Sequence, residues 1–188
     1  MIIGITGKSG TGKTTVANYL ASKLGYIVIH GDELAHKVLD INLYNEVLSW
    51  FGVPEENTVD RKRLGRLLFS DKTLMHKYNI LINEQIMSHF YKKYDLKDNY
   101  IIDWNFLPIS DFNNKCDKKI LLVLNDEERK QRVLKRDNIT DEYFNRRDDY
   151  GLEYNESDFD FVLTSDEIMR SEYILDSLKD VWLWKSKF

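Results

Sequence analysis

Residues 1–20 read MIIGITGKSGTGKTTVANYL, and this stretch decides the fold of the chain. A short apolar run reaches Thr6, and apolar residues at helical spacing resume after Thr14. Between them, Gly7–Thr14 matches the pattern G-x-x-x-x-G-K-[ST]. Glycines let a loop curl so that its backbone N–H groups point inward, and the N-terminus of the following helix adds partial positive charge. The sequence therefore predicts a loop that binds the phosphates of a nucleoside triphosphate, and a ligand-free glycine-rich turn is the alternative.

The individual positions of this loop carry distinct predicted roles. Lys13 is expected to reach the β- and γ-phosphates of ATP, and the Thr14 hydroxyl is expected to bind Mg²⁺. ATP is thus the predicted phosphoryl donor. The predicted ATP-binding residues within the loop are Gly7, Lys8, Ser9, Gly10, Thr11, Gly12, Lys13, Thr14 and Thr15.

Composition limits the classes of partner. A net charge of -4 argues against a surface for nonspecific nucleic-acid binding. No run approaches the roughly 20 apolar residues that a membrane-spanning helix needs. The single cysteine, Cys116, leaves no internal disulfide and favours a reducing compartment. We therefore expect a cytoplasmic protein whose partners are small molecules, neither nucleic acid nor membrane.

Short β-branched runs alternate with longer helical stretches, which is typical of parallel strands joined by helical crossovers. The pattern predicts an α/β fold of the P-loop NTPase type, with a five-stranded parallel sheet covered by helices, in a single domain spanning residues 1–188. The five runs are MIIGIT (1–6), YIVIH (26–30), NYIIDW (99–104), KKILLVL (118–124) and DFVLT (160–164).

Two helical segments exceed what simple crossovers need. Residues of about 33–94 are predicted to form a helical insertion that covers an acceptor substrate, and a plain structural layer is the alternative reading. Residues of about 126–150 are rich in arginine and predict a lid over the triphosphate. The last helix is predicted to be amphipathic, with Trp182 and Trp184 as packing residues.

Two carboxylates follow predicted strands, where the strand ends converge on the nucleotide. Asp32 could accept a proton from a substrate hydroxyl, or it could cap the helix that begins there. Asp103 fits the position of a carboxylate that holds Mg²⁺ through water, and a solvated aspartate at a strand end is the alternative. His30 is interpreted as a structural hydrogen-bonding residue.

The lid prediction rests on its arginines. Arg132 and Arg136 are four residues apart and share a helix face, and Arg147 follows on a second helical segment. Guanidinium groups at this place would stabilise the charge of a transferring phosphoryl group, although a charged run can also be a solvated surface. The letters NKCD at 114–117 match the pattern NKxD, but they precede the predicted strand at 118–124. No guanine-reading NKxD segment follows directly on a predicted strand. The combination predicts a small-molecule kinase.

From residue 1 to about 166, the sequence resembles the dephospho-CoA kinase family. The most discriminating piece is VDRKRLGRLLFSD at 59–71. The other matching segments are GITGKSGTGKTTVANYL (4–20), GYIVIHGDELAHKVL (25–39), Phe51-Gly52, IID (101–103), RVLKRDNITDEYFNRR (132–147) and DFDFVL (158–163).

The resemblance implies ATP-dependent phosphorylation of the ribose 3′-hydroxyl of dephospho-CoA. It makes Asp32 the general base and assigns Arg132, Arg136 and Arg147 to the lid. Lys13, Arg132 and Arg136 join Asp32 as the predicted catalytic residues, and the predicted acceptor-binding residues are Asp32, Arg61 and Asp103.

The chain departs from the family pattern on the acceptor side. His30 stands where the family has the first aspartate of Asp-x-Asp, and Asn83-Glu84 replaces a His-Pro pair. Asn105 replaces a proline, and Gly151 falls at a glutamine position. Two alternatives therefore stay open: a nucleoside or nucleoside monophosphate kinase, and a nucleotide-binding regulatory protein without turnover. The oligomeric state is not predicted.

Overall fold

The computed structural model describes residues 1–95 and 97–185, and for residues 180–185 it describes the backbone alone. The packing prediction for Trp182 and Trp184 lies outside the described side chains. The chain divides into two compact units, one made of Met1–Gly31 and the residues from Tyr94 onward, the other of Asp32–Lys93. The predicted insertion of about 33–94 falls almost wholly in the second unit, and the assignment of both units to a single domain stays a prediction.

Among the described residues of the first unit, five parallel strands form one sheet, in the order β2-β3-β1-β4-β5. The predicted five-stranded parallel sheet is confirmed. Every residue of β1 and β3 is buried, which explains why these runs are apolar without alternation. The strands are β1 (Ile2–Thr6), β2 (Ile27–His30), β3 (Tyr100–Asp103), β4 (Lys118–Leu122) and β5 (Phe161–Leu163).

Helices connect these strands and make up the second unit. None of the helices within the described residues combines the length and the apolar character that crossing a bilayer would require. In chain order the helices are α1 (Lys13–Leu24), α2 (Gly31–Val38), α3 (Ile41–Ser49), α4 (Arg61–Leu68), α5 (Lys72–Lys93), α6 (Asp126–Asp137), α7 (Asp141–Asp149), α8 (Ser165–Arg170) and α9 (Glu172–Lys185).

The main core of the first unit lies on one side of the sheet. Val16, Ala17 and Leu20 of α1 are fully buried in one cluster with Ile3 and Ile5 of β1. Apolar residues of α8 and α9 complete this cluster. Burial of each valine, leucine or isoleucine side chain contributes about 1.5–3 kcal/mol. The start of α1, where the phosphate-binding loop ends, is therefore fixed to the central strand.

Short polar caps start the helices of the second unit. Asp40 accepts a hydrogen bond from the Leu43 N–H at the start of α3, and Asp60 accepts one from the Arg63 N–H at the start of α4. Leu64 is buried, as its helical spacing predicts. The segment VDRKRLGRLLFSD is thus built as a capped helix with one apolar face.

The ends of β2 and β3 meet at Trp104. The indole is 3% exposed, and it rests on the backbone of Gly31, where a Cβ atom would lie 2.0 Å from the Trp104 Cγ. Phe112 packs edge-on to the same indole at a centroid distance of 6.4 Å. Only glycine fits at position 31 without displacing this ring.

We expect Gly31→Ala to lower the free energy of unfolding by about 1–3 kcal/mol, because the new methyl group overpacks the buried indole. Urea denaturation at neutral pH measures this difference. Ser88→Ala, at an exposed position of α5, is the control and should stay within about 0.5 kcal/mol of the wild type. Equal stability of Gly31→Ala and wild type would show that Trp104 does not rest on this backbone.

Candidate active site

The phosphate-binding loop connects β1 to α1, as predicted. Gly10 has a φ of 93°, in the left-handed region, and a Cβ atom there would lie 2.8 Å from the Arg129 carbonyl oxygen. The glycine is therefore required both by the backbone conformation and by the close approach of α6. The loop also closes on itself, because the Thr11 hydroxyl donates to the Lys8 carbonyl at 2.9 Å.

Lys13 points back over this loop. Its Nζ donates to the carbonyl oxygens of Gly7 at 2.9 Å and of Lys8 at 3.1 Å. These two residues are at the start of the loop, and Lys13 is at its end. The ammonium charge is thus held at the concave side of the loop, where the phosphates of a nucleotide would need a counter-charge.

Thr14 and Asp103, the two predicted magnesium residues, are in direct contact. The Thr14 hydroxyl donates to Asp103 Oδ2 at 2.8 Å, and the Asp103 side chain is 6% exposed. His30 Nδ1 contacts the same carboxylate oxygen at 2.9 Å. Hydroxyl and carboxylate oxygens are the ligand types that Mg²⁺ prefers. Among the described side chains, those of residues 1–95 and 97–179, no cluster of three or more His, Cys, Asp or Glu residues is suited to a metal.

Two of the three predicted lid arginines reach the loop. Arg136 Nη2 donates to the Ser9 hydroxyl at 3.2 Å, and Arg147 Nη2 donates to the same oxygen at 2.8 Å. Asp137 accepts from both guanidinium groups, at 2.6 Å from Arg136 and 3.0 Å from Arg147. One carboxylate thus holds two arginines, one from α6 and one from α7, next to the loop.

Arg132 lies elsewhere on α6. Its guanidinium pairs with Glu128 at 2.6 Å, one turn away on the same helix, and its side chain is 44% exposed. In the contacts of the described residues, the loop receives Arg136 and Arg147 but not Arg132. The catalytic role of Arg132 therefore stays a prediction.

Arg129, which the sequence does not single out, is the buried anchor of the lid. Its side chain is 2% exposed, and it forms a two-pronged pair with Asp148 of α7, at 2.6 and 2.7 Å. It also bonds Asp126 at 3.0 Å and the Ser9 carbonyl at 3.3 Å, and its guanidinium lies 5.3 Å from the centre of the Phe144 ring. A single side chain therefore joins both lid helices to the loop. Its spacing of four residues from the buried Val133 is the signal that could have identified it.

Tyr154 ties the segment after the lid to the end of β3. Its hydroxyl donates to the Asn105 carbonyl at 2.9 Å, and the Thr6 hydroxyl donates to the same oxygen at 3.2 Å. Burial raises the pKa of Tyr154 to about 12, so the hydroxyl keeps its proton at neutral pH. No sequence motif marks this contact, because it depends on the path of the chain after the lid.

A cavity of about 180 Å³ adjoins the loop, and Lys8, Thr11, Arg129 and Tyr154 are among its lining residues. Pockets for drug-sized ligands usually measure about 300–1,000 Å³. This cavity is therefore too small to be a complete nucleotide site by itself.

Asp32 and Arg61 belong to the second unit. Asp32 is exposed and is the second residue of α2, inside the helix and not at the preceding cap position. Arg61 donates to the His36 carbonyl at 3.2 Å, near the other end of the same helix. Burial raises the pKa of Tyr78 to about 12, and the charge of Arg61 opposes that rise. Arg61 is thus hydrogen-bonded to the last turn of α2, and its charge acts on Tyr78 of α5.

These contacts narrow the class of protein. Phosphate-binding loops of this type also occur in switch GTPases and in ATPases. Here arginines of a two-helix segment in the same chain meet the loop, where guanidinium groups can stabilise a transferring phosphoryl group. Fold and site together define a P-loop small-molecule kinase.

Comparison with known proteins gives the family. The family model of dephospho-CoA kinase (CoaE) matches residues 1–159. The dephospho-CoA kinase of Fusobacterium nucleatum is 34% identical over 149 residues, which cover 76% of each chain, and that of Carboxydothermus hydrogenoformans is 28% identical over 98% of this chain and 95% of its own. The solved dephospho-CoA kinase of Campylobacter jejuni shares the fold with a TM-score of 0.58 at 20% identity, covering 100% of this chain and 98% of its own. The chain belongs to the dephospho-CoA kinase family.

We expect Arg129→Ala to lower the free energy of unfolding by about 1.5–3 kcal/mol, because it removes the buried guanidinium whose charged hydrogen bonds join α6, α7 and the loop. Arg132→Ala is the matched control on the same helix, and its loss should stay below about 1 kcal/mol, since its ion pair is exposed. Urea denaturation of both variants measures the two effects. Similar losses for the two variants would contradict the anchoring role of Arg129.

The Asp137 pair predicts a pH dependence. Hydrogen bonding from Arg136 holds the pKa of Asp137 below its ordinary value of 3.8. A carboxyl group with a lowered pKa in the folded state stabilises the fold above about pH 4 and loses this contribution as the pH falls through the folded-state pKa. Asp137→Asn should therefore lower stability at pH 7, by less than about 1 kcal/mol, and the difference should shrink below pH 4.

Urea denaturation of the wild type and Asp137→Asn between pH 2.5 and 7 measures this dependence. An Arg136→Gln background is the control, because it removes the first donor and should reduce the pH-dependent part of the difference. A difference that stays constant across this range would refute the assignment.

Proposed function

We propose that this protein transfers the γ-phosphoryl group of ATP to the ribose 3′-hydroxyl of dephospho-CoA, giving coenzyme A and ADP. The observation that carries the proposal is the meeting of Lys13, the Thr14–Asp103 pair and two lid arginines around one loop. This arrangement lies in a chain that the dephospho-CoA kinase model matches over residues 1–159.

The loop would hold the triphosphate through its backbone N–H groups and Lys13. Thr14 and Asp103 fit Mg²⁺, Thr14 as a direct ligand and Asp103 through water, because the pair offers one hydroxyl and one carboxylate already in contact. When bound, Mg²⁺ would neutralise charge on the β- and γ-phosphate oxygens. The Lys13 ammonium would stay in contact with the γ-phosphoryl group during its transfer.

Arg136 and Arg147 would bind the phosphates from the lid side. Both guanidinium groups already lie at the Ser9 hydroxyl, and both are held by Asp137. Two oxygens of a phosphate can accept two parallel N–H bonds from a guanidinium, as two carboxylate oxygens do. Phosphates could therefore replace Asp137 as the partner of these arginines without leaving a guanidinium unpaired. Arg132 remains part of the proposal on the grounds of the family resemblance.

Asp32 would accept the proton of the attacking hydroxyl. A general base must come within hydrogen-bonding distance of that hydroxyl, and an exposed carboxylate in the first helical turn after β2 is available for this role. Arg61 would bind the acceptor from the same unit. Catalysis would then depend on position and electrostatics, since phosphoryl transfer needs little covalent chemistry from the protein.

A cytoplasmic location is part of the same proposal. A chain with one cysteine holds no internal disulfide, and Cys116 donates to the Phe112 carbonyl within the fold. The proposed partners are the two small-molecule substrates.

A coupled ADP-release assay with Mg²⁺-ATP tests the proposal. Dephospho-CoA should stimulate release and yield a product phosphorylated at the 3′-oxygen. A panel of nucleosides and nucleoside monophosphates should give no comparable turnover. Turnover with a nucleoside or its monophosphate, and none with dephospho-CoA, would replace the proposed acceptor. ATP binding without transfer to any acceptor would indicate a nucleotide-binding protein.

We expect Asp32→Asn to lower kcat by about 10²–10⁴-fold, the range that general-base catalysis supplies, while the affinity for ATP stays near the wild-type value. Glu33→Gln is the matched control, because it removes the neighbouring exposed carboxylate of the same helical turn. Steady-state kinetics and calorimetric titration with ATP measure the two quantities. Normal turnover of Asp32→Asn would reduce this residue to a role in the helix terminus.

A further inference from the structure

His30 contacts Asp103 at the site, and neither the motifs nor the family resemblance gives it a role toward the metal. It is the last residue of β2 and pairs in register with Asp103, the last residue of β3. Neighbouring strands that run parallel in register present such residues side by side. The contact that results is the 2.9 Å approach of His30 Nδ1 to Asp103 Oδ2.

The proton of this contact can be assigned. A carboxylate accepts hydrogen bonds and donates none, so His30 Nδ1 carries the hydrogen and donates to Asp103. The Thr14 hydroxyl donates to the same oxygen at 2.8 Å. Two donors from different elements, one on β2 and one on α1, fix the orientation of a carboxylate that is only 6% exposed.

We propose that His30 is a positioning residue, which holds Asp103 in the orientation needed at the magnesium site. This inference rests on the proposed function, since it concerns the metal of that site. A carboxylate at position 30 would place a second negative charge beside Asp103 and would depend on a cation for its stability. The imidazole instead supplies a donor, so that this chain holds Asp103 with its own side chains.

Packing supports this role for His30. The next residue, Gly31, lies under the indole of Trp104, which itself follows Asp103. The indole therefore holds the ends of β2 and β3 together just beyond the two interacting side chains. The His30 side chain is 23% exposed, so one side of the ring is enclosed and the geometry at Nδ1 is restrained.

Three variants of His30 test whether Asp103 needs a hydrogen-bond donor at the position of Nδ1 or a donor at any position. His30→Asn places an amide N–H near the position of Nδ1 and should preserve the hydrogen bond to Asp103. His30→Gln extends the amide toward the position of Nε2, and His30→Ala removes the donor. His76→Asn, at an exposed position of α5, is the matched control.

The measurement is the dissociation constant of a non-hydrolysable ATP analogue, adenosine 5′-(β,γ-imido)triphosphate, determined calorimetrically with Mg²⁺ and with EDTA. The ratio of the two constants gives the enhancement due to the metal. We expect His30→Ala to lose about tenfold of this enhancement, in the range typical of residues that orient metal-binding groups. His30→Asn and His76→Asn should retain it, His30→Gln should not, and the constants in EDTA should be alike.

An unchanged enhancement in His30→Ala would overturn the proposal, and so would rescue by His30→Gln without rescue by His30→Asn. If His30→Ala fails to fold, the comparison of the Asn and Gln variants still decides. No acceptor enters this measurement. A protein that binds Mg²⁺ and the analogue as expected, yet does not phosphorylate dephospho-CoA, would refute the proposed acceptor and leave the role of His30 intact.

Discussion

The site of the first unit depends on the parallel pairing of β3 between β2 and β1. This pairing brings His30 beside Asp103 at the carboxyl ends of β2 and β3. It also sets Ile5 of β1 in register with Asp103. Because β1 continues directly into the phosphate-binding loop, the carboxylate lies within 2.8 Å of the Thr14 hydroxyl at the start of α1. A shift of one residue in the β3 register would turn Asp103 to the other face of the sheet and separate these groups.

The loop and the sheet could be predicted from sequence because their signals are local. The glycines of Gly7–Thr14 specify the conformation of the loop, and the place of this motif between a strand and a helix predicts where the helix starts. Apolar runs without alternation indicate strands that are buried on both faces. The contact of Thr14 with Asp103 fits the same logic, since Thr14 was placed in the loop that follows the first strand and Asp103 at the end of the third, and the ends of parallel strands converge. Asp32 shows the limit of a local signal, because Asp fits both a helix cap and the first helical turn, and the structure places it in the turn.

The lid shows why the spacing of arginines along a helix was insufficient to predict which of them contact the loop. Arg132 and Arg136 share a face by their four-residue separation, yet α6 turns positions 129, 133 and 136 toward the loop and leaves Arg132 with Glu128. The sequence does not reveal which of two overlapping faces will pack. His30 forms a hydrogen bond, as predicted, but its partner and the partner of Tyr154 could not be predicted for a different reason. These partners are set by which strand lies beside β2 and by the path of the chain after α7.

The arginines that join the lid to the loop differ in their exposure to water. Arg129 is enclosed between α6, α7 and the loop, where water and mobile ions have little access. Arg136 is 59% exposed, and it donates to the Ser9 hydroxyl. Dissolved salt screens exposed charges over about 8 Å at physiological ionic strength but acts far less on buried pairs. A higher salt concentration should therefore weaken the contact of Arg136 with Ser9 more than the contacts of Arg129.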